Sequence, residues 1–309
     1  MIYVYVLLIA VLLFLLLLLG IYIYTFAKIK PRKLNGAYMQ KKLKIKPHLK
    51  LVLENIHKFS MESFEEVQIT SHDGTLLCGN YYESKPGAPL VIFFHGYRSS
   101  FDRDGSGGFW HLVSNGYNIL MVHQRSHGKS GGKTITFGVK ERYDCLSWID
   151  YAVERFGENV KVMLMGVSMG ASTVLMASGL NPPENVKGII ADCGFTSPEK
   201  IIKSEIGAIH LPKNLVYSLA RLSAKIFGGF DPNDADACEA VSKTDIPILI
   251  IHGEDDNFVP YYMAKEILDS CKSDKMFLSV PGAGHAMSFY QDKKTYINIV
   301  DAFMQKNLS

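Results

Sequence analysis

Three rhythms of apolar residues run along the chain. The first is continuous. Residues 2–27 carry no charged side chain and include Leu12, Leu13, Phe14 and an unbroken run of leucines from Leu15 to Leu19. At about 1.5 Å rise per residue, a helix over this run is long enough to span a bilayer. A secretory signal peptide would bring a basic start, a shorter apolar core and a small-residue cleavage site. Residues 1–5 hold no Lys or Arg and no A-x-A-like site follows, so the reading is an uncleaved transmembrane anchor over 2–27. The second rhythm is alternation. Residues 64–71 and 76–82 read as half-exposed strands joined around Asp73-Gly74, a hairpin turn signal. The third is a series of short, wholly apolar runs at 90–94, 117–122, 160–165, 186–191, 247–251 and 276–280. Parallel strands covered on both faces have this pattern.

Between those runs lie helical candidates at 109–115, 139–156, 169–180, 261–271 and 288–306. In the second of these, Tyr143, Leu146, Ile149, Asp150 and Val153 follow helical spacing. Strands alternating with helices predict an α/β sheet with helices on both faces. One interval breaks the alternation. Residues 196–244 hold no good strand but carry Ile201, Ile202, Ile206, Ile209, Leu215, Leu219, Leu222 and Ile226 at amphipathic spacing. This predicts a small helical cap over the carboxyl edge of the sheet, where ligands of open α/β sheets bind. Much of such a stripe serves only to cover a core.

Charge then divides the chain. Residues 28–50 hold nine Lys and Arg and no acid. Positive flanks stay cytoplasmic, so the amino terminus is expected outside and everything after residue 27 in the cytoplasm of a single-pass cell-membrane protein. The same charges would give weak contact with anionic lipid headgroups. Subtracting these nine from the chain's 33 Lys and Arg leaves 24 against 30 Asp and Glu, so the main domain is mildly acidic. Nucleic-acid binding is disfavoured, because the basic cluster sits beside the apolar run with no aromatic or zinc motif. Five scattered cysteines form no C-x-x-C pair, which argues against a structural zinc site or disulfide scaffold and for free thiols in a reducing compartment. The expected organisation is an anchor at 2–27, a basic juxtamembrane segment at 28–60 and one domain at 61–309.

Within that domain, Gly166-Val167-Ser168-Met169-Gly170 follows an apolar strand and precedes a helix-like run. Strand, sharp turn and helix in this order put the Ser168 hydroxyl at the tip of a nucleophile elbow. A serine needs a base, and the base an orienting acid. Of ten histidines, His285 lies in a glycine-rich loop, Pro281-Gly282-Ala283-Gly284-His285, just past the last strand. His123 and His127, in a polar loop, are its rivals, while His95 and His252 read as loop supports. The acid belongs between serine and histidine in the chain. The loop after the strand at 247–251 offers Asp256 and Asp255, with Glu254 weaker, and Asp192 is a second location that reads rather as a loop or cap hydrogen bond. Backbone N–H groups of Met169 and Tyr97 are placed to serve a developing oxyanion.

These features together resemble the α/β-hydrolase superfamily over residues 64–309. They are His95-Gly96-Tyr97, the loop from Gln124 to Ser130, the Gly166–Gly170 elbow, His252-Gly253 with Asp256 and Val259-Pro260, and Gly284-His285. The nearest type is the compact bacterial serine hydrolase, carboxylesterase or peptidase-like, some with an amino-terminal membrane anchor. The resemblance implies an eight-stranded, mostly parallel sheet, an acyl-enzyme, no cofactor, and Asp256 as the acid. One departure is His123, where relatives commonly carry a structural Asp. The expected activity is hydrolysis of small or lipid-derived carboxylic esters. Amide or peptide hydrolysis by the same residues is the alternative, and a membrane-tethered scaffold without activity the third.

Overall fold

The computed structural model describes residues 1–28 and 44–308. Of the basic segment, Lys30, Arg32, Lys33, Lys41 and Lys42 lie outside the described residues. Eight strands form a single sheet: β1 (Glu65–Thr70), β2 (Leu76–Tyr82), β3 (Leu90–Phe94), β4 (Asn118–His123), β5 (Val162–Val167), β6 (Val186–Asp192), β7 (Ile248–Gly253) and β8 (Lys275–Val280). Their order is β1-β2-β4-β3-β5-β6-β7-β8. The hairpin β1–β2 is antiparallel, β2 pairs antiparallel with β4, and the remaining pairs are parallel. Every residue of β3, β5 and β7 is buried, which is why these strands read as continuous apolar runs.

Helices cover both faces. On one side α4 (Glu141–Phe156), α5 (Met169–Ser178) and α9 (Tyr262–Ser270) enclose Cys145, Trp148, Val174, Leu175, Met263 and Ile267. On the other, α3 (Phe101–Ser114) and α11 (Lys293–Leu308) bury Phe109, Leu112, Tyr296, Val300 and Phe303. Three elements differ from the sequence pattern, each for a local reason. Helix α2 (Leu49–Ser60) packs along α3 and sinks Phe59 against Phe64 and Phe109, so the segment expected only to carry charge supplies core. Helix α3 begins at Phe101 rather than near 109, because Gly105, Gly107 and Gly108 weaken the helical signal. Two of them sit in close packing: a Cβ on Gly105 would meet the end of the Met121 side chain at 2.6 Å, and one on Gly107 would meet Tyr290 Oη at 2.9 Å. The final helix is split into α10 (Ser288–Gln291) and α11, with the Asp292 carboxylate accepting the Thr295 N–H at the new start.

After β6 the chain leaves the carboxyl edge of the sheet as the expected helical insertion: α6 (Pro198–Ala208), α7 (Lys213–Ser223), a π-turn (Ala224–Gly228) and α8 (Ala237–Val241). Ser197 caps α6 by accepting the Lys200 N–H, with Pro198 in the first turn.

At the amino end, α1 (Ile2–Thr25) has a mean hydropathy of 3.3 and is the one helix among the described residues long and apolar enough to cross a membrane. Length and composition suit a membrane span or a signal sequence equally. Its last turns are docked on the globular domain. Leu18 and Phe26 are fully buried, Phe26 lies edge-on to Phe137 and Phe230, and Ala27 bridges to Thr134.

Candidate active site

Strand β5 ends at Val167, two residues later than the apolar run suggested, so Ser168 follows it directly. Ser168 has φ 56° and ψ −118°, a conformation costly for a residue with a Cβ and held here by its surroundings. Its N–H donates to Asp192 O at 2.8 Å. The flanking glycines are sterically required. A Cβ on Gly166 would lie 2.4 Å from Gly170 C, and one on Gly170 would lie 2.0 Å from Phe94 O. Strand β5, the start of α5 and the end of β3 thus meet at backbone distance under the serine.

The loops after β7 and β8 bring Asp256 and His285 to it. His285 Nε2 is 2.8 Å from Ser168 Oγ, and His285 Nδ1 is 2.7 Å from Asp256 Oδ2. The other Asp256 oxygen accepts the N–H groups of Phe258 and Val259, both at 2.8 Å. Burial pushes the Asp256 carboxyl up, but His285 and His252 beside it outweigh burial and hold it well below the usual carboxylate range. The two loops interlock, since a Cβ on Gly253 would meet Ala283 O at 2.4 Å. Phe258 covers the imidazole, with ring centroids 5.0 Å apart.

The other candidates are placed elsewhere. Asp255 is exposed and pairs with Lys44, and Glu254 accepts from Ser279 Oγ. Asp192 is buried beneath the elbow with Ser288 Oγ at 3.4 Å, and burial raises its carboxyl to about 6. His123 is half-buried against Phe101, and desolvation lowers its imidazole to about 4. His127 holds the neighbouring loop: its Nε2 accepts the Arg98 N–H at 3.0 Å. His252 does more than support its own strand. Its Nε2 donates to Val259 O at 3.0 Å and lies 3.4 Å from Asp256 Oδ2, behind the acid. A histidine four residues before an aspartate in one tight loop was the available signal. Cys193, also buried, lies close to Asp256 and His285, and burial raises its thiol well above the ordinary range.

The loop after β3 runs against the serine; a Cβ on Gly96 would approach Ser168 Cβ to 3.2 Å. Asp104 fixes this loop by accepting the Gly96 N–H at 2.7 Å and Ser99 Oγ at 2.6 Å. Its outer side is tied to α1. Tyr97 Oη donates to Thr25 O at 2.8 Å, and Arg98 Nη2 donates to the carbonyls of Ile23, Tyr24 and Ala27 at 3.3, 2.8 and 3.2 Å. Those of Ile23, Tyr24 and Thr25 are carbonyls that the helix end leaves unsatisfied. Nothing local in the sequence signals this contact, since the partners are some 70 residues apart.

Above Ser168 and His285 lies a mainly apolar cavity of about 220 Å³. Ile201, Ile202 and Ile206 of α6 form one wall and Tyr24 and Thr25 of α1 another. The cap stripe is therefore divided: its first part lines the cavity, while Leu215, Leu222 and Ile226 remain exposed.

Comparison with known proteins fixes the class. Residues 85–243 match the family described as serine aminopeptidase, S33, and residues 231–307 match a family described as TAP-like protein. The chain is 26% identical over 250 residues to the uncharacterised protein YqkD of Bacillus subtilis, covering 79% of this chain and 81% of that one. It is 24% identical over 223 residues to the lysophosphatidylserine lipase ABHD12 of Xenopus tropicalis, covering 67% of this chain and 49% of that protein. The fold superposes on an esterase of Pyrococcus furiosus with a TM-score of 0.66, at 21% identity, covering 92% of this chain and all of that one. The chain is a member of the serine aminopeptidase S33 family within the α/β-hydrolase superfamily.

Proposed function

We propose that the protein is a membrane-anchored serine hydrolase that cleaves carboxylic esters through an acyl-enzyme. The observation that carries this reading is the hydrogen-bonded line from Ser168 Oγ through His285 to Asp256, at 2.8 and 2.7 Å. His285 Nε2 takes the hydroxyl proton as Oγ attacks the ester carbonyl. Asp256, ionised, holds the imidazole by Nδ1 and stabilises its cation. The N–H groups of Met169 and Tyr97 receive the oxyanion, and the imidazolium returns the proton to the leaving alcohol. Water repeats the cycle and releases the acid. The apolar cavity suits an acyl chain, and the similarity to a lysophosphatidylserine lipase favours lipid-derived esters among the substrates.

Amide hydrolysis by the same residues is the second reading, favoured by the description of the matched family. The basic residues after α1 favour a cytoplasmic domain.

The test is labelling of the full chain with a fluorophosphonate, beside Ser168→Ala. One adduct on Ser168, absent from the variant, is expected. A folded protein that takes no adduct would leave a tethered scaffold as the better reading. A matched panel of esters and aminoacyl amides then separates the two chemistries, with amide turnover within about tenfold of the ester overturning the esterase assignment.

A further inference from the structure

Helix α1 is joined to the cavity without a linker. Its 24 residues extend about 36 Å, which uses the full thickness of a bilayer's hydrocarbon core. With α1 as the membrane anchor proposed above, its last turn, Tyr22 to Thr25, stands at the lipid–water boundary. That turn is held to the domain by Tyr97, Arg98 and the fully buried Phe26. Whatever packs beside it must lie at the same depth. Helix α7 does so: it runs along α1, and Tyr22 meets Thr134 through its hydroxyl and Phe227 through its ring.

The outward side of α7 has the wrong chemistry for water. Leu215, Leu219, Leu222 and Ile226 recur at intervals of four, three and four, which makes one stripe along the helix and into the π-turn. With α1 already packed, Leu215 is 63% exposed, Leu222 38% and Ile226 50%. The opposite side buries Tyr217 and Ala220, so α7 is apolar on both sides. Exposed apolar surface of this extent marks a contact. The rim of the cavity is apolar and exposed as well. Ile209 and Tyr24 line the cavity and are nonetheless 61% and 68% exposed, which places them at its mouth.

We infer that the outer stripe of α7 lies in the membrane interface beside α1, and that the cavity opens onto the bilayer and takes from it an ester with one long acyl chain. The substrate class rests on the serine-hydrolase reading above; the membrane contact does not. A chain entering between Tyr24 and Ile209 would pass from lipid into the cavity without crossing water.

Two measurements on the full chain in phosphatidylcholine–phosphatidylglycerol vesicles test this. First, Leu215→Trp and Ile226→Trp are each compared with the unsubstituted chain in vesicles of dibrominated lipid. A roughly twofold quench of the added fluorescence is expected if these positions reach the acyl region, and no quench would overturn the proposal. Second, the triple variant Leu215→Glu, Leu222→Glu, Ile226→Glu is assayed on p-nitrophenyl butyrate in water and on 1-oleoylglycerol in the vesicles. The aqueous rate should stay within about twofold while the vesicle rate falls at least about tenfold. Retention of both rates, or equal loss of both, would overturn it. Quenched tryptophans on a protein that cleaves neither ester would instead remove the hydrolase reading and leave the membrane contact standing.

Discussion

At the floor of the cavity backbone meets backbone: Gly170 leaves no room before Phe94 O, and Gly166 none before Gly170. At the mouth, flexible apolar side chains from α1 and α6 meet across open space. The floor holds the Ser168, His285 and Asp256 side chains in one arrangement and leaves no room for an added atom. The mouth sets only what fits, and it can change without disturbing the line from Ser168 to Asp256. In the proposed hydrolase, geometry and selectivity thus fall to separate parts of the chain.

Four substitutions sharpen or break that division. Ser168→Ala should lower kcat/KM for any ester by about 10⁴-fold or more in a folded protein, since the base is left without a nucleophile. A loss under tenfold, measured by steady-state kinetics, would move the chemistry elsewhere. Next, Gly170→Ala should cost about 4 kcal/mol or more by denaturant titration, because backbone cannot yield to the new Cβ. A normal unfolding midpoint would mean the elbow is looser than its distances imply.

Asp192, under the floor, gives the third test. Its carboxyl stands at about 6 when folded against 3.8 for the exposed group. Between those values the folded chain keeps a proton that the unfolded chain releases, so stability falls as pH rises from about 4 to about 6, by on the order of 3 kcal/mol. Asp192→Asn should remove that fall, and identical slopes in both proteins would refute it. The smallest effect belongs to the mouth. Ile209→Ala should change stability by less than about 0.5 kcal/mol while raising KM for long-chain esters a few-fold and leaving short esters alone. An equal change for both chain lengths would end the separation of mouth from floor.

The division also accounts for what the sequence discloses. The floor is written locally: Gly166, Ser168 and Gly170 lie within five residues after an apolar run, and the loops holding Asp256 and His285 each follow a buried strand. Six strands were legible as continuous apolar runs, and β1 and β2 by their half-exposed pattern around the Asp73-Gly74 turn. Helix α3 was half hidden because its glycines serve close packing against Met121 and Tyr290 rather than helix propensity. Helix α2 was masked by its lysines, though Phe59 is the residue that decides its place. The mouth depends on contacts across some 70 residues, from Thr25 to Tyr97 and from Tyr24 to Arg98, and no periodicity announces those. His252 read as a strand-end support because its second neighbour, Asp256, becomes a partner only once the loop closes.

The buried Phe26, between Phe137 and Phe230, has a practical consequence for preparing the enzyme. Trimming the chain at Lys28 to make it water-soluble would remove a plug from the aromatic core together with the carbonyls that Arg98 and Tyr97 bind. A detergent-free form is better sought by recoding the exposed positions of the first four turns of α1 with polar residues, leaving Leu18 to Lys28 untouched. Cloning boundaries for this protein belong inside the greasy helix, not at its end.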